Sequence, residues 1–164
     1  ALTSQVQGAL EDAGLEAGLL ELEITESLLM KNVEDNVAML RALSGAGVRI
    51  AIDDFGTGYS NFSYLRRLPM HELKLAGSFA VSLHSPDADL VDEQIVATLV
   101  SLAHALDLTV TAEGVETDVQ LERFRTLGCD AGQGSLFGLP GAAEQIDTRL
   151  RAATSLCDVR KKRR

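Results

Sequence analysis

Short runs rich in Val, Ile, Leu and Thr alternate along this chain with longer stretches of helical apolar period, and that alternation leaves few folds open. The strand-like runs are Leu20–Thr25, Val48–Asp53, Glu72–Leu75, Leu108–Ala112 and a weaker one at Cys129–Gln133. The first two and the fourth are dense enough in apolar residues to predict strands buried on both faces. Between them, Glu34–Leu43 keeps the period through Val37, Leu40 and Leu43 and stops at Ser44-Gly45-Ala46-Gly47, a C-cap signal. Asp87–Leu106 follows Ser85-Pro86-Asp87 and carries Leu90, Val91, Ile95, Leu99, Leu102, Ala103 and Leu106 on one predicted stripe. Asp118–Leu127 lies between Thr117 and Gly128, and Thr3–Ala13 and Ala142–Ala153 read as flanking helices.

Such alternation implies βαβ units and a mainly parallel sheet, closed as a barrel or covered on both faces. A (β/α)8 barrel takes roughly 250 residues. With 164 residues, the chain is expected to be a partial (β/α)8 TIM-type barrel of about five parallel strands with flanking helices, over residues 1–154. Residues 155–164 end in the basic run Arg160–Arg164 and are expected to form a solvated tail.

Charge narrows the chemistry. The net charge is −9, and five of the 15 Lys and Arg residues lie in the last five positions, leaving ten positive against 24 negative charges elsewhere. So acidic a body repels nucleic acid, and no DNA partner is expected; a phosphate ligand would need metal ions as a bridge. No apolar run reaches the ~18 residues that span a bilayer. No signal peptide is visible at Ala1–Gly8, and Cys129 and Cys157 read as two reduced thiols, which together point to the cytoplasm. His71, His84 and His104 fall in no zinc-binding pattern.

Acidic residues close the strand runs. The first ends in Glu23-Ile24-Thr25-Glu26, the second in Asp53-Asp54 and the fourth in Glu113-Gly114-Val115-Glu116; the third carries Lys74, and the fifth leads to Gln133-Gly134. One acid at a strand end is ordinarily the N-cap of the next helix. Three pairs at three strand ends are another matter, because in a parallel α/β fold those ends meet at the ligand-binding face. Six carboxylates gathered there repel one another unless cations lie between them, and hard oxygen ligands select Mg²⁺, Mn²⁺ or Ca²⁺. Two such ions about 4 Å apart suit phosphodiester hydrolysis. Lys74, inside an apolar run, needs a carboxylate or phosphate partner. The loop Asp53–Ser60 imitates a dinucleotide fingerprint through Gly56 and Gly58, but Asn61 stands in the third glycine position and two aspartates where phosphates would approach. A mobile loop that places Asp53 and Asp54 on metal fits better.

Taken in order, Glu-Ile-Thr-Glu (23–26), Asp-Asp-Phe-Gly-Thr-Gly-Tyr-Ser (53–60), Leu-Pro (68–69), Leu-Lys-Leu (73–75), Ala-Glu-Gly-Val-Glu-Thr (112–117) and Gln-Gly (133–134) resemble the EAL domain, the bacterial cyclic di-GMP phosphodiesterase family. The resemblance runs from about Leu20 to Pro140. It implies a modified (β/α)8 barrel and metal-dependent hydrolysis of cyclic di-GMP to linear pGpG, with Mg²⁺ or Mn²⁺ in a two-metal site. By position it implies Glu23, Asp53 and Glu113 as metal ligands and Asp54 at the second metal. Lys74 would orient the attacking water or a phosphate, and Glu26 would hold the loop after Asp53. Glu116, Gln133 and Gly134 would serve the catalytic surroundings and the substrate side. It further implies a homodimer through the Asp53–Ser60 region, a fused or partner sensor or diguanylate cyclase (GGDEF) domain, and a bacterial cytoplasmic setting that can be part of a larger membrane-attached protein.

The chain also departs from that pattern. The Glu-Ala-Leu strand and the next strand with its metal-binding asparagine do not occur in it, so the motifs align from the helix before the fourth barrel strand. Ala76 replaces an acid, His71 an aspartate, and Ser135 an aromatic residue. The isolated chain is therefore expected to be weak or inactive in turnover, and to dimerise, swap elements or be poorly stable. Alternative readings of the same residues are a cyclic di-GMP receptor without turnover and a dimerisation or interaction module.

Overall fold

A computed structural model describes residues 2–29, 31–56, 65–83 and 90–151. Five strands form one parallel sheet in sequence order: β1 (Glu21–Thr25), β2 (Arg49–Phe55), β3 (Glu72–Leu75), β4 (Thr109–Ala112) and β5 (Ala131–Gly132). The helices are α1 (Leu2–Ala13), α2 (Glu26–Leu29), α3 (Val33–Gly45), α4 (Gly77–Ser82), α5 (Leu90–His104), α6 (Asp118–Thr126) and α7 (143–151). Every predicted strand is present, although β2 runs on to Phe55 and β5 shrinks to two residues. The sequence reading missed α2 and α4, which are too short to show an apolar period. The basic tail and the segment Ser85-Pro86-Asp87 lie outside the described residues, as do positions 57–60 of the loop expected to pair two copies.

Strand periodicity sorts the residues onto two faces. One carries Ile24, Ile50, Ile52, Leu73, Leu75, Val110 and Ala112, all buried, and with Val37, Leu40 and Leu43 of α3, Val96, Val100 and Ala103 of α5 and Phe124 of α6 it makes one core. Each such large side chain contributes about 1.5–3 kcal/mol on burial. The opposite face is polar: it carries Glu21, Glu23, Arg49, Asp53, Glu72, Lys74 and Thr111. At its lower end Arg49 Nε bonds Glu21 at 2.9 Å and Thr111 Oγ1 donates to Glu72 at 2.6 Å, a network that neither residue pattern nor spacing announced.

Two expectations need correction. Burial on both faces fails for β1, where only Ile24 is buried, because β1 is an edge strand with β2 alone beside it. The predicted stripe of α5 also divides. Val96, Leu99, Val100 and Ala103 face the core, whereas Leu90, Val91 and Ile95 are exposed. This helix is apolar most of the way round, so its period does not choose a face and the sheet does.

Below the sheet, Asp130 ties three elements together. Its Oδ2 accepts from the Val110 backbone N–H at 2.8 Å and lies 2.9 Å from His104 Nε2 at the end of α5. Burial works against the charged carboxylate. The hydrogen bonds of His104 and Val110 and the charge of His104 outweigh it, and the Asp130 pKa falls below its ordinary value of 3.8. A depressed carboxylate adds stability that is complete above the unfolded pKa and is lost as pH falls through the lower folded one. Thermal melts from pH 6 down to pH 2 should therefore show Asp130→Asn less stable than wild type at pH 6, with the gap closing below about pH 4. A gap that persists unchanged to pH 2 would contradict this assignment. Next to it, Cys129 is a free thiol pushed up to about 11 by burial and by the charge of Asp130.

Candidate active site

Of the six strand-end carboxylates, one from each pair, Glu23, Asp53 and Glu113, meets the others around a common partner. Lys74, on β3 between the buried Leu73 and Leu75, turns to the polar face with its side chain only 4% exposed. Its ammonium is 2.7 Å from Glu23 on β1, 2.7 Å from Glu113 just after β4 and 3.4 Å from Asp53 on β2. One buried cation thus joins carboxylates from three other strand ends. Burial disfavours the ammonium, but the hydrogen bonds to Glu113 and Glu23, with the charges of Glu113 and Asp53, more than offset that and raise the Lys74 pKa. Glu113 is raised by burial, against the hydrogen bond and charge of Lys74, and the charges of Asp53 and Asp54 push it further the same way.

Local backbone irregularity aims the two aspartates. Ile52 pairs with Leu73 and Phe55 with Leu75, so two residues of β2 stand opposite one of β3. This bulge contains Asp53 and Asp54, and Asp54 takes φ 54°, a left-handed conformation uncommon away from glycine. Gly56 follows at φ 96°, where a Cβ would press on the Phe79 ring of α4. Its N–H donates to Glu26 Oε2 at 3.2 Å, and Glu26 is 3% exposed although it is a carboxylate. Glu26 is thereby attached to the start of the loop after β2.

Glu116, Gln133 and Gly134 occupy neighbouring loops; the cluster's ion pairs involve none of them. Glu116 is exposed, and its backbone N–H donates to Gln120 Oε1 at 2.8 Å. Gln120 caps α6 jointly with Thr117 and reaches across to the Ala80 carbonyl of α4 at 2.8 Å. It was missed as a candidate, although Thr117-x-x-Gln120 is a legible capping-box signature. Val115 N–H donates to the Gln133 carbonyl at 3.0 Å, and Leu136 N–H to that of Val115 at 3.1 Å, which locks the two loops backbone to backbone. Gln133 also lines a cleft of about 760 Å³ with Glu72, Thr111, Ser135, Phe137 and Arg149.

Whether these residues suit a divalent cation can be judged from their oxygens. As they stand, no three His, Cys, Asp or Glu side chains among the described residues are grouped to hold a metal, for these carboxylates surround the ammonium instead. Yet Asp53 Oδ1 is shielded and accepts no hydrogen bond; Lys74 at 3.4 Å is an ionic neighbour only. A buried acceptor left so costs about 1–3 kcal/mol. An all-oxygen set of carboxylates with one unsatisfied buried atom fits a hard divalent cation.

The family model described as the EAL domain matches residues 1–140. The bifunctional diguanylate cyclase/cyclic di-GMP phosphodiesterase MucR of Pseudomonas aeruginosa is 46% identical over 145 residues, which are 88% of this chain and 21% of that protein. A solved structure of the PaMucR phosphodiesterase in complex with c-di-GMP superimposes with a TM-score of 0.83 at 45% identity, covering 88% of this chain and 57% of the other. The Klebsiella pneumoniae BlrP1 manganese/cy-diGMP complex gives a TM-score of 0.77 at 33% identity over 84% of this chain and 34% of its own. The chain thus spans about a fifth of the curated relative and little more than half of the first solved chain.

Proposed function

This chain belongs to the EAL domain family, and from that membership we propose that it carries the strand-end carboxylates and the lysine of a metal-dependent phosphodiesterase that hydrolyses cyclic di-GMP to linear pGpG. The observation that carries this reading is the single buried ammonium joining Glu23, Asp53 and Glu113 at one end of a parallel sheet. Glu23, Asp53 and Glu113 would hold Mg²⁺ or Mn²⁺, with Asp54 at the second ion. Bound there, the ions would supply Lewis-acid polarisation of the phosphodiester and a more acidic water. Lys74 orients the attacking water or a phosphate oxygen. Glu26 keeps the loop after Asp53 in place through Gly56 and Glu116 belongs with the catalytic residues, while Gln133 and Gly134 bind the substrate. In the net reaction water adds to phosphorus, one P–O3′ bond breaks, and the departing 3′ oxygen takes up the proton.

The same reading makes residues 1–154 one domain with 155–164 as a tail, paired with a second copy through the Asp53–Ser60 region. Cyclic di-GMP is its ligand, and sensor or GGDEF domains would accompany it in a bacterial cytoplasm. No helix among the described residues is long and apolar enough to cross a membrane.

The test is incubation of the full-length protein with cyclic di-GMP and Mn²⁺, followed by chromatography. Formation of pGpG that disappears in Glu23→Ala is expected. Binding of cyclic di-GMP without product would replace this reading by that of a receptor.

One observation favours the receptor. Ala76 stands where the family pattern has an acid, is 2% exposed and forms the N-cap of α4 without a side-chain hydrogen bond. Ala76→Asp would offer α4 a capping oxygen and the site a further carboxylate two residues from Lys74. We expect several-fold faster turnover, measured by pGpG formation, together with a lowered Tm, because the added carboxylate is buried beside others that repel it. Unchanged turnover in a folded variant would show that Ala76 does not limit the reaction.

A further inference from the structure

We propose that Lys74 is a resident counter-cation that competes with divalent metal for the carboxylates, and so sets how tightly this site takes its ions. The inference rests on reading Glu23, Asp53 and Glu113 as metal ligands and goes beyond the role given to Lys74 in orienting water.

Three facts carry it. Glu23 Oε1 and Glu113 Oε1 are each engaged by the ammonium at 2.7 Å, in the range of charge-assisted hydrogen bonds. A divalent cation drawing on the same two carboxylates would have to share or replace these contacts. Lys74 cannot simply withdraw, because its backbone is paired on both sides within the sheet, its neighbours Leu73 and Leu75 are buried, and its own side chain is 4% exposed. Finally, one positive charge faces three carboxylates, so the cluster keeps an excess of negative charge that still attracts a divalent ion while each incoming ion must break contacts already made. The lysine therefore acts as an attenuator. It leaves the site open to metal and weakens its grip.

Mn²⁺ titration calorimetry on the full-length protein tests this with Lys74→Met, Lys74→Gln and Lys74→Arg. The two neutral variants should bind Mn²⁺ at least tenfold more tightly than wild type, and Lys74→Arg no more tightly than wild type. Equal or weaker binding by folded Met and Gln variants would overturn the proposal, and a lysine that only orients water would give that result alongside a loss of turnover. Melting curves check that the variants fold. A measurement on wild type stands independently of them: the hydrogen-bond couplings between the Lys74 ammonium and the Glu23 and Glu113 carboxylates, read by NMR, should weaken in saturating Mg²⁺. Couplings unchanged with Mg²⁺ bound would refute the competition. Absence of Mn²⁺ binding in every variant would remove both this inference and the assignment of the ligands. The expected affinity order without any pGpG from wild type would retain the inference and remove only the hydrolytic reading.

Discussion

Asp53→Asn should abolish cyclic di-GMP hydrolysis in the full-length protein and leave its Tm unchanged or slightly raised. The two halves of that expectation have one cause. Asp53 Oδ1 is buried without a hydrogen bond and stands beside Glu113, whose pKa is raised first by burial and further by repulsion from the charge of Asp53. Asparagine keeps the shape, removes one negative charge from the cluster and relieves part of that repulsion. Turnover should fall more than 100-fold, because even the outer partners of metal-ligating groups cost about 10–100-fold. Steady-state assays in saturating Mn²⁺ together with melting curves decide it. Residual turnover near wild type, or a Tm lowered by several degrees, would mean that Asp53 serves the fold and not the site.

The largest structural loss is expected from Gly134→Ala. The backbone passes so close to Val115 here that a Cβ would collide with the Val115 nitrogen and carbonyl oxygen, and these are backbone atoms that cannot turn aside. Moving them apart breaks the hydrogen bonds Val115 N–H to Gln133 and Leu136 N–H to Val115, and displaces the loop that carries Glu113 and Glu116. Overpacking of this kind costs about 3 kcal/mol or more. At roughly 2–4 °C per kcal/mol, Tm should fall by about 6–12 °C. Gly8→Ala is the matched control, since a Cβ on this residue of α1 meets nothing within 4 Å and alanine favours the helix. Equal melting of the two variants would disprove the close-packing argument.

Much of this protein was legible before its fold was known. Alternation of β-rich and helical runs gave all five strands, since apolar residues at period 2 and at period 3.6 demand different backbones. The acids at strand ends were legible because a parallel sheet brings every C-terminal strand end to one side. Lys74 announced its need of partners, because a charge within an apolar strand must be matched. The ion pairs to Glu23, Asp53 and Glu113 supply that match.

Other features arise only when segments distant in sequence meet. The face that α5 turns inward was not readable, because Leu90, Val91 and Ile95 are as apolar as the residues the sheet buries. The pairing of Arg49 with Glu21 and of Thr111 with Glu72 joins residues 28 and 39 positions apart, and neither pair shares a local pattern. The role of Gly134 is likewise invisible locally, for no turn demands a glycine there and the demand comes from Val115 across a loop contact. Sequence alone determined which chemistry the chain can offer, because charge, strand period and motif order are local properties. The tertiary structure decided which carboxylates share one ammonium, which oxygen is left unsatisfied and where no side chain fits, because those are distances between strands.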